Sequence, residues 1–201
     1  IALGHGVHRV NRAAIEVLAA GVRAISGEAD LEVRGGRGGF AESVFATVAK
    51  LPGIAATSPG LELEAGLAQG GALRVIGIDP LRAAQLQPQM FAHQPQLMLE
   101  LLRPDTVLLS AGAAESLRLG KGARLTLLVG LSEIELEVAG TLPPGNPHGV
   151  AALTDISTAQ WRLGRLGELN RIGLRLAPGA RIEAVREQVA RELEKARVAG
   201  A

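Results

Sequence analysis

Apolar and polar residues alternate in several short stretches of the chain, and near both ends apolar residues recur at three- and four-residue steps. The first pattern predicts strands and the second amphipathic helices. Val7, Val10, Ala14, Leu18, Val22 and Ile25 make one apolar stripe, which predicts a helix over residues 6–26 stopped by Gly27. Leu31 and Val33 then alternate with Asp30, Glu32 and Arg34, a strand with one wet face. Phe40, Val44, Phe45, Val48 and Leu51 predict a short helix ended by Pro52 and Gly53. A second strand covers about residues 54–67, with Leu61, Leu63, Ala65 and Leu67 on one side and Glu62 and Glu64 on the other. Gly70 and Gly71 turn it into a third strand over residues 73–79, a hairpin.

Residues 80–104 change character. Pro80, Pro88, Pro95 and Pro104 punctuate a glutamine-rich excursion with short helices. Alternation returns with a buried strand at residues 106–110 and a helix over residues 111–117. The Ser110 side chain is placed to cap that helix by accepting a first-turn N–H. A hairpin follows, its second arm carrying Ile134, Leu136 and Val138 against Glu133, Glu135 and Glu137. Residues 143–149 read as a loop, and Asp155 as the cap of a helix reaching Trp161. A last strand (Ile172, Leu174, Leu176) precedes a helix with the stripe Ile182, Val185, Val189, Leu193 and Ala196.

Composition adds mostly exclusions. The 201 residues are 47% hydrophobic and 20% charged, a globular balance, and the net charge of +1 implies no strong pull toward nucleic acid or anionic lipid. Without cysteine there are no disulfides or thiolate metal ligands. With no tyrosine and one tryptophan there is little on which to stack bases. No run approaches the roughly 20 apolar residues of a membrane-spanning helix. The chain starts at Ile1, without methionine, and two readings stand: a soluble protein lacking its start, or an extramembrane piece of a membrane protein.

Chemical candidates are few. Residues 36–41 (Gly36, Arg37, Gly38, Gly39, Phe40, Ala41) fit G-x-G-x-x-A between a strand and a helix, the fingerprint of a dinucleotide loop. A dinucleotide-binding first strand is central in a parallel sheet and apolar on both faces, whereas residues 30–34 keep one face wet. The glycines therefore read as a tight corner, with a soluble dinucleotide-binding oxidoreductase as the alternative. His5, His8, His93 and His148 lack metal-ligand spacing, so no metal site is expected. Ser110 has no nucleophile-elbow flanks. Met90, Phe91, Leu97 and Met98 either pack beneath the excursion or form an exposed tip for a partner, the contact a protein-binding adaptor would use.

The element order resembles a known family. The runs ISGEADLEVRG, GFAESVF, LPGIAATSPGLELEA and LRVIGID, then VLLSAGAAESLRLGKGARLTLLVG with EIELEVAGTLP, and finally NRIGLRLAPGARIEAVREQV, are similar to the periplasmic core domain of ABC transporter permeases of the MacB/FtsX/LolC type. The resemblance implies an α/β (α+β) fold of two lobes: a Porter-like lobe from residues 1–79 with 165–201, and an inserted, strand-rich Sabre-like lobe from residues 80–164. It implies a non-enzymatic domain between the first two membrane helices of an inner-membrane permease, without a cofactor of its own. ATP would be hydrolysed at a separate cytoplasmic ATPase, and its conformational change would move or release a substrate on the periplasmic side by mechanotransmission. A periplasmic protein, or a lipid, lipoprotein or hydrophobic substrate, would be the partner, with a dimer in the full transporter.

Overall fold

A computed structural model describes residues 16–19, 29–36, 38–92, 94–143 and 149–199. In chain order the elements are β1 (Glu16–Ala19), β2 (Leu31–Arg34), β3 (Phe40–Ala41), α1 (Ser43–Val48), β4 (Ile54–Leu67), β5 (Ala72–Ile78), α2 (Pro80–Leu86), a 3-10 turn (Pro88–Met90), α3 (Pro95–Leu101), β6 (Thr106–Leu109), α4 (Ala111–Leu117), β7 (Arg124–Val129), β8 (Ser132–Thr141), β9 (Ala151–Asp155), α5 (Ile156–Arg162), β10 (Glu168–Leu169), β11 (Arg171–Leu176) and α6 (Ile182–Ala199). The class is α/β, built on one mixed sheet ordered β1-β2-β11-β4-β5-β9-β6-β8-β7. The strands β3 and β10 form a separate ribbon.

Strand β4 organises the sheet. Its first half pairs antiparallel with β11, ending at the rung Gly60–Arg171, while its second half pairs with β5. At the tip, Gly66 and Leu67 also meet Leu128 and Leu127 of β7. That contact closes β4, β5, β9, β6, β8 and β7 into a six-stranded barrel. Closure satisfies strand edges that would otherwise be open to other chains. The strands β11, β2 and β1 continue from the first half of β4 as an open section.

Alternation sorts side chains between layers. Leu61, Leu73, Val75, Val107, Leu109, Leu125, Leu127, Leu136 and Val138 fill the barrel. Helices α4 and α5 follow β6 and β9, which run antiparallel, so the two helices sit at opposite mouths and contribute Ala113 and Ala159 to the same core. Ile76, Ile78, Leu108, Ala139 and Leu153 face outward from the barrel and are covered by the excursion through Ala83, Phe91 and Leu101. On the open section, Leu31, Val33, Ile172 and Leu174 are buried under Val44 and Val48 of α1 and Val185, Val189 and Leu193 of α6.

Two expected elements differ. Residues 16–19 are not helical: they form β1 and pair antiparallel with β2 in the register Glu16–Arg34 to Ala19–Leu31. The rest of the predicted 6–26 helix lies outside the described residues. A helical stripe was present in the sequence, but the free edge of β2 offers a full set of backbone partners, and pairing overrides local pattern. The helix expected from Phe40 starts only at Ser43, because Phe40 and Ala41 are taken up by β10. Strand β9 was not anticipated. Its AALT run does not alternate because Ala152 faces the barrel interior and Leu153 the excursion, both buried.

The tightest helix–barrel approach is at Gly77, where an added Cβ would lie 2.5 Å from the Ala159 Cβ of α5. Gly77→Ala is expected to cost about 1–3 kcal/mol through overpacking. Gly120→Ala, with nothing near the new atom, should stay within about 0.5 kcal/mol of the parent. Urea unfolding monitored by far-UV circular dichroism distinguishes the two; equal stability of both variants would contradict the packing at Gly77.

Candidate functional site

The glycine corner is bonded to the chain itself on both sides. Beyond β2, the Gly35 N–H donates to the Asn170 carbonyl (2.9 Å) and the Gly39 N–H to the Gly36 carbonyl (2.8 Å). Gly39 has φ +66°, and a side chain there would run into the Leu169 carbonyl oxygen. The chain then enters β3, where Phe40 is buried against the open-section core, and the Glu42 N–H donates to the Gly167 carbonyl at 2.8 Å. A dinucleotide loop instead leads straight into a helix whose first-turn N–H groups face the phosphate. Strand β2 is also antiparallel to both neighbours, β1 and β11. The G-x-G-x-x-A match is thus a turn that leads β2 into β3, one strand of the β3–β10 ribbon. Arg37 lies outside the described residues.

The polar candidates are engaged structurally. Ser110 is buried, and its Oγ accepts from the Ala113 N–H (3.2 Å) and the Ala151 N–H (3.0 Å), so it caps α4 and pins it to β9. Asp155 caps α5 by accepting from the Ser157 N–H at 2.8 Å. Asp30 accepts from the Leu176 N–H at 2.7 Å. Glu135 and Glu137 stand on the outer face of their hairpin and meet Arg124 and Arg103. His5, His8, His93 and His148 lie outside the described residues. Among the described residues no group of three His, Asp or Glu side chains could hold a metal ion.

The excursion packs inward. Phe91 is buried, and Met90, Leu97 and Met98 are partly buried against the barrel's outer core. The Leu97 side chain occupies the space where Gly140 has no Cβ. An ionic staple holds α3 down. Glu100 accepts from Lys121 Nζ (2.9 Å) and Arg103 Nη1 (2.7 Å), and Arg103 reaches Glu137 of β8 at 3.2 Å. The Thr106 hydroxyl completes it, bonded to the Glu100 and Arg103 carbonyls. Hydrogen bonds from Lys121 and then Arg103 hold the Glu100 carboxyl below the usual carboxylate range. The bond to Glu100, followed by the charge of Glu137, raises Arg103.

Sequence reasoning missed the apolar residues that point outward: Leu81, Leu99, Leu102, Leu131, Val150, Trp161 and Leu166. The signal for Trp161 was its place off the stripe Ile156, Ala159 and Leu163, which faces the core. Trp161 stands 72% exposed on α5. Among the described residues, Ser110 and Asp155 serve as helix caps and Asp30 as an acceptor for a strand N–H.

The family model of the MacB-like periplasmic core domain matches residues 1–192. Two solved structures share the fold. The periplasmic region of MacB from Actinobacillus actinomycetemcomitans is 12% identical with a TM-score of 0.54, covering 79% of this chain and 74% of that one. The extracellular domain of the noncanonic ABC-type transporter YknZ from Gram-positive bacteria is 13% identical with a TM-score of 0.57, covering 79% and 84%. None of the curated proteins matches the chain.

The Glu100 staple carries a pH signature. A carboxyl held low when folded adds stability that is complete above the unfolded value of about 4.3 and is lost as pH falls through the lower folded value. Unfolding measured from about pH 7 to pH 3 should show the parent more stable than Glu100→Gln at neutrality and the gap vanishing in acid. A gap unchanged across that range would show that the staple does not titrate as described.

Proposed function

The chain belongs to the family of MacB-like periplasmic core domains of ABC transporter permeases, and from that premise we propose that it relays the conformational change of a cytoplasmic ATPase to a substrate outside the membrane. The observation that carries the reading is the placement of its two outermost elements. Strand β1 begins opposite Arg34, at the end of the sheet where β2 finishes. Helix α6 starts beside Gly53, at the other end, and lays its stripe across the open-section core next to β1. Both elements therefore lead toward the same end of the sheet. A domain held between two membrane helices needs that arrangement, because a push on either helix then reaches one rigid layer. Among the described residues no helix is long and apolar enough to cross a membrane.

The domain does no chemistry of its own in this reading. It moves as a body on the periplasmic or extracellular side, paired with a second copy in the full transporter. Its cargo is a lipid, lipoprotein or other hydrophobic substrate, or it hands force to a protein partner. The near-neutral charge and the outward leucines and tryptophan favour apolar contacts over steering of a charged ligand.

The test uses the full transporter reconstituted with its ATPase, otherwise free of cysteine. Spin labels at Ser132→Cys, exposed at the start of β8, report the distance between the two copies. That distance is expected to shift when ATP is trapped. The same distance with and without trapped nucleotide would end the relay reading.

A further inference from the structure

One edge of β4 changes partners along its length. Up to Gly60 it pairs with β11, and from Gly66 with β7. Between these rungs it is held by a side chain. Asn170 Oδ1 accepts from the Glu62 N–H at 2.8 Å, and Asn170 Nδ2 donates to the Glu62 carbonyl at 2.5 Å. The carboxamide thus imitates a peptide group and extends the β11 ladder by one rung. The Asn170 backbone meanwhile donates to the Gly60 carbonyl (3.1 Å) and accepts from the Gly35 N–H (2.9 Å). Next to it, Arg171 bonds Glu32 of β2 and, at 2.8 Å, Glu62 of β4, and Glu62 reaches Arg74 of β5 at 3.5 Å. These contacts converge where β4 contains Pro59 and Gly60, residues that weaken a strand and permit a bend.

We propose that Asn170, supported by Arg171, is a brace that locks the open section to the barrel across the Pro59–Gly60 corner, so that the chain moves as one body instead of bending there. Asn170 is a positioning residue, acting through the backbone of Glu62, Gly60 and Gly35. Its existence as a brace is independent of the transport reading, and its importance for force relay rests on that reading. The experiment therefore uses this chain alone, with no ATPase and no nucleotide.

The sequence contains no cysteine, so spin labels at Glu187→Cys on α6 and Ser132→Cys at the start of β8 report one distance across the corner. The parent should give a single narrow distribution. Asn170→Ala should broaden or split it. Val189→Ala, which removes packing from the open-section core without touching the corner, should lower the melting temperature and leave the distribution narrow. An Asn170→Ala distribution as narrow as the parent's overturns the proposal. If Asn170→Ala does not fold, hydrogen exchange on the unsubstituted chain decides. The Glu62 amide should exchange at least tenfold more slowly than an exposed amide of the same type, and a freely exchanging Glu62 overturns the brace.

Discussion

A strand edge has to be satisfied, and in this chain the edge of β4 is the one on which everything else depends. Its backbone groups are met first by β11, then by the Asn170 side chain, then by β7. The first partner builds the open section and the last closes the barrel. One fourteen-residue strand thereby belongs to both, and the layers above and below follow from it. The barrel interior fills with leucine and valine, the excursion covers the outer wall, and α1 and α6 cover the open section.

Much of this was legible beforehand. Strand β4 was expected over the residues it occupies, because LELEA alternates and the glycine pair after it turns. Ser110 and Asp155 were read as caps and act as caps, since a short polar side chain before an apolar run has little else to do. The family was legible too, from element order alone, and the comparison with known proteins agrees with it. What was hidden depends on contacts distant in sequence. Strand β1 looked helical because only a partner strand could reveal its pairing, and β9 showed no period because both its faces are covered. Asn170 gave no signal, because an asparagine beside a strand is ordinary until its neighbours are known. The four apolar residues of the excursion left two readings open, and only packing distinguishes them.

Some of the chain's charged residues are committed to one another between elements: Glu32 to Arg171 and Arg171 to Glu62 across strands, and Glu100 of α3 to Lys121 and Arg103. Each exposed pair contributes little alone, but networks that span several strands restrict relative motion. The glycine corner serves the same end. It lets the chain double back into the β3–β10 ribbon, which seats Phe40 beneath the open section.

The split ancestry of the open section has a consequence for how the chain matures. The barrel is assembled from residues 54–163 in one continuous run. The open section waits for residues 31–34 to meet residues 171–176, and the Glu32–Arg171 contact spans 139 positions. Contacts so distant carry a large loop-closure entropy and form late. The β1–β2 pair is left without its third neighbour until residues 171–176 are available to pair with it.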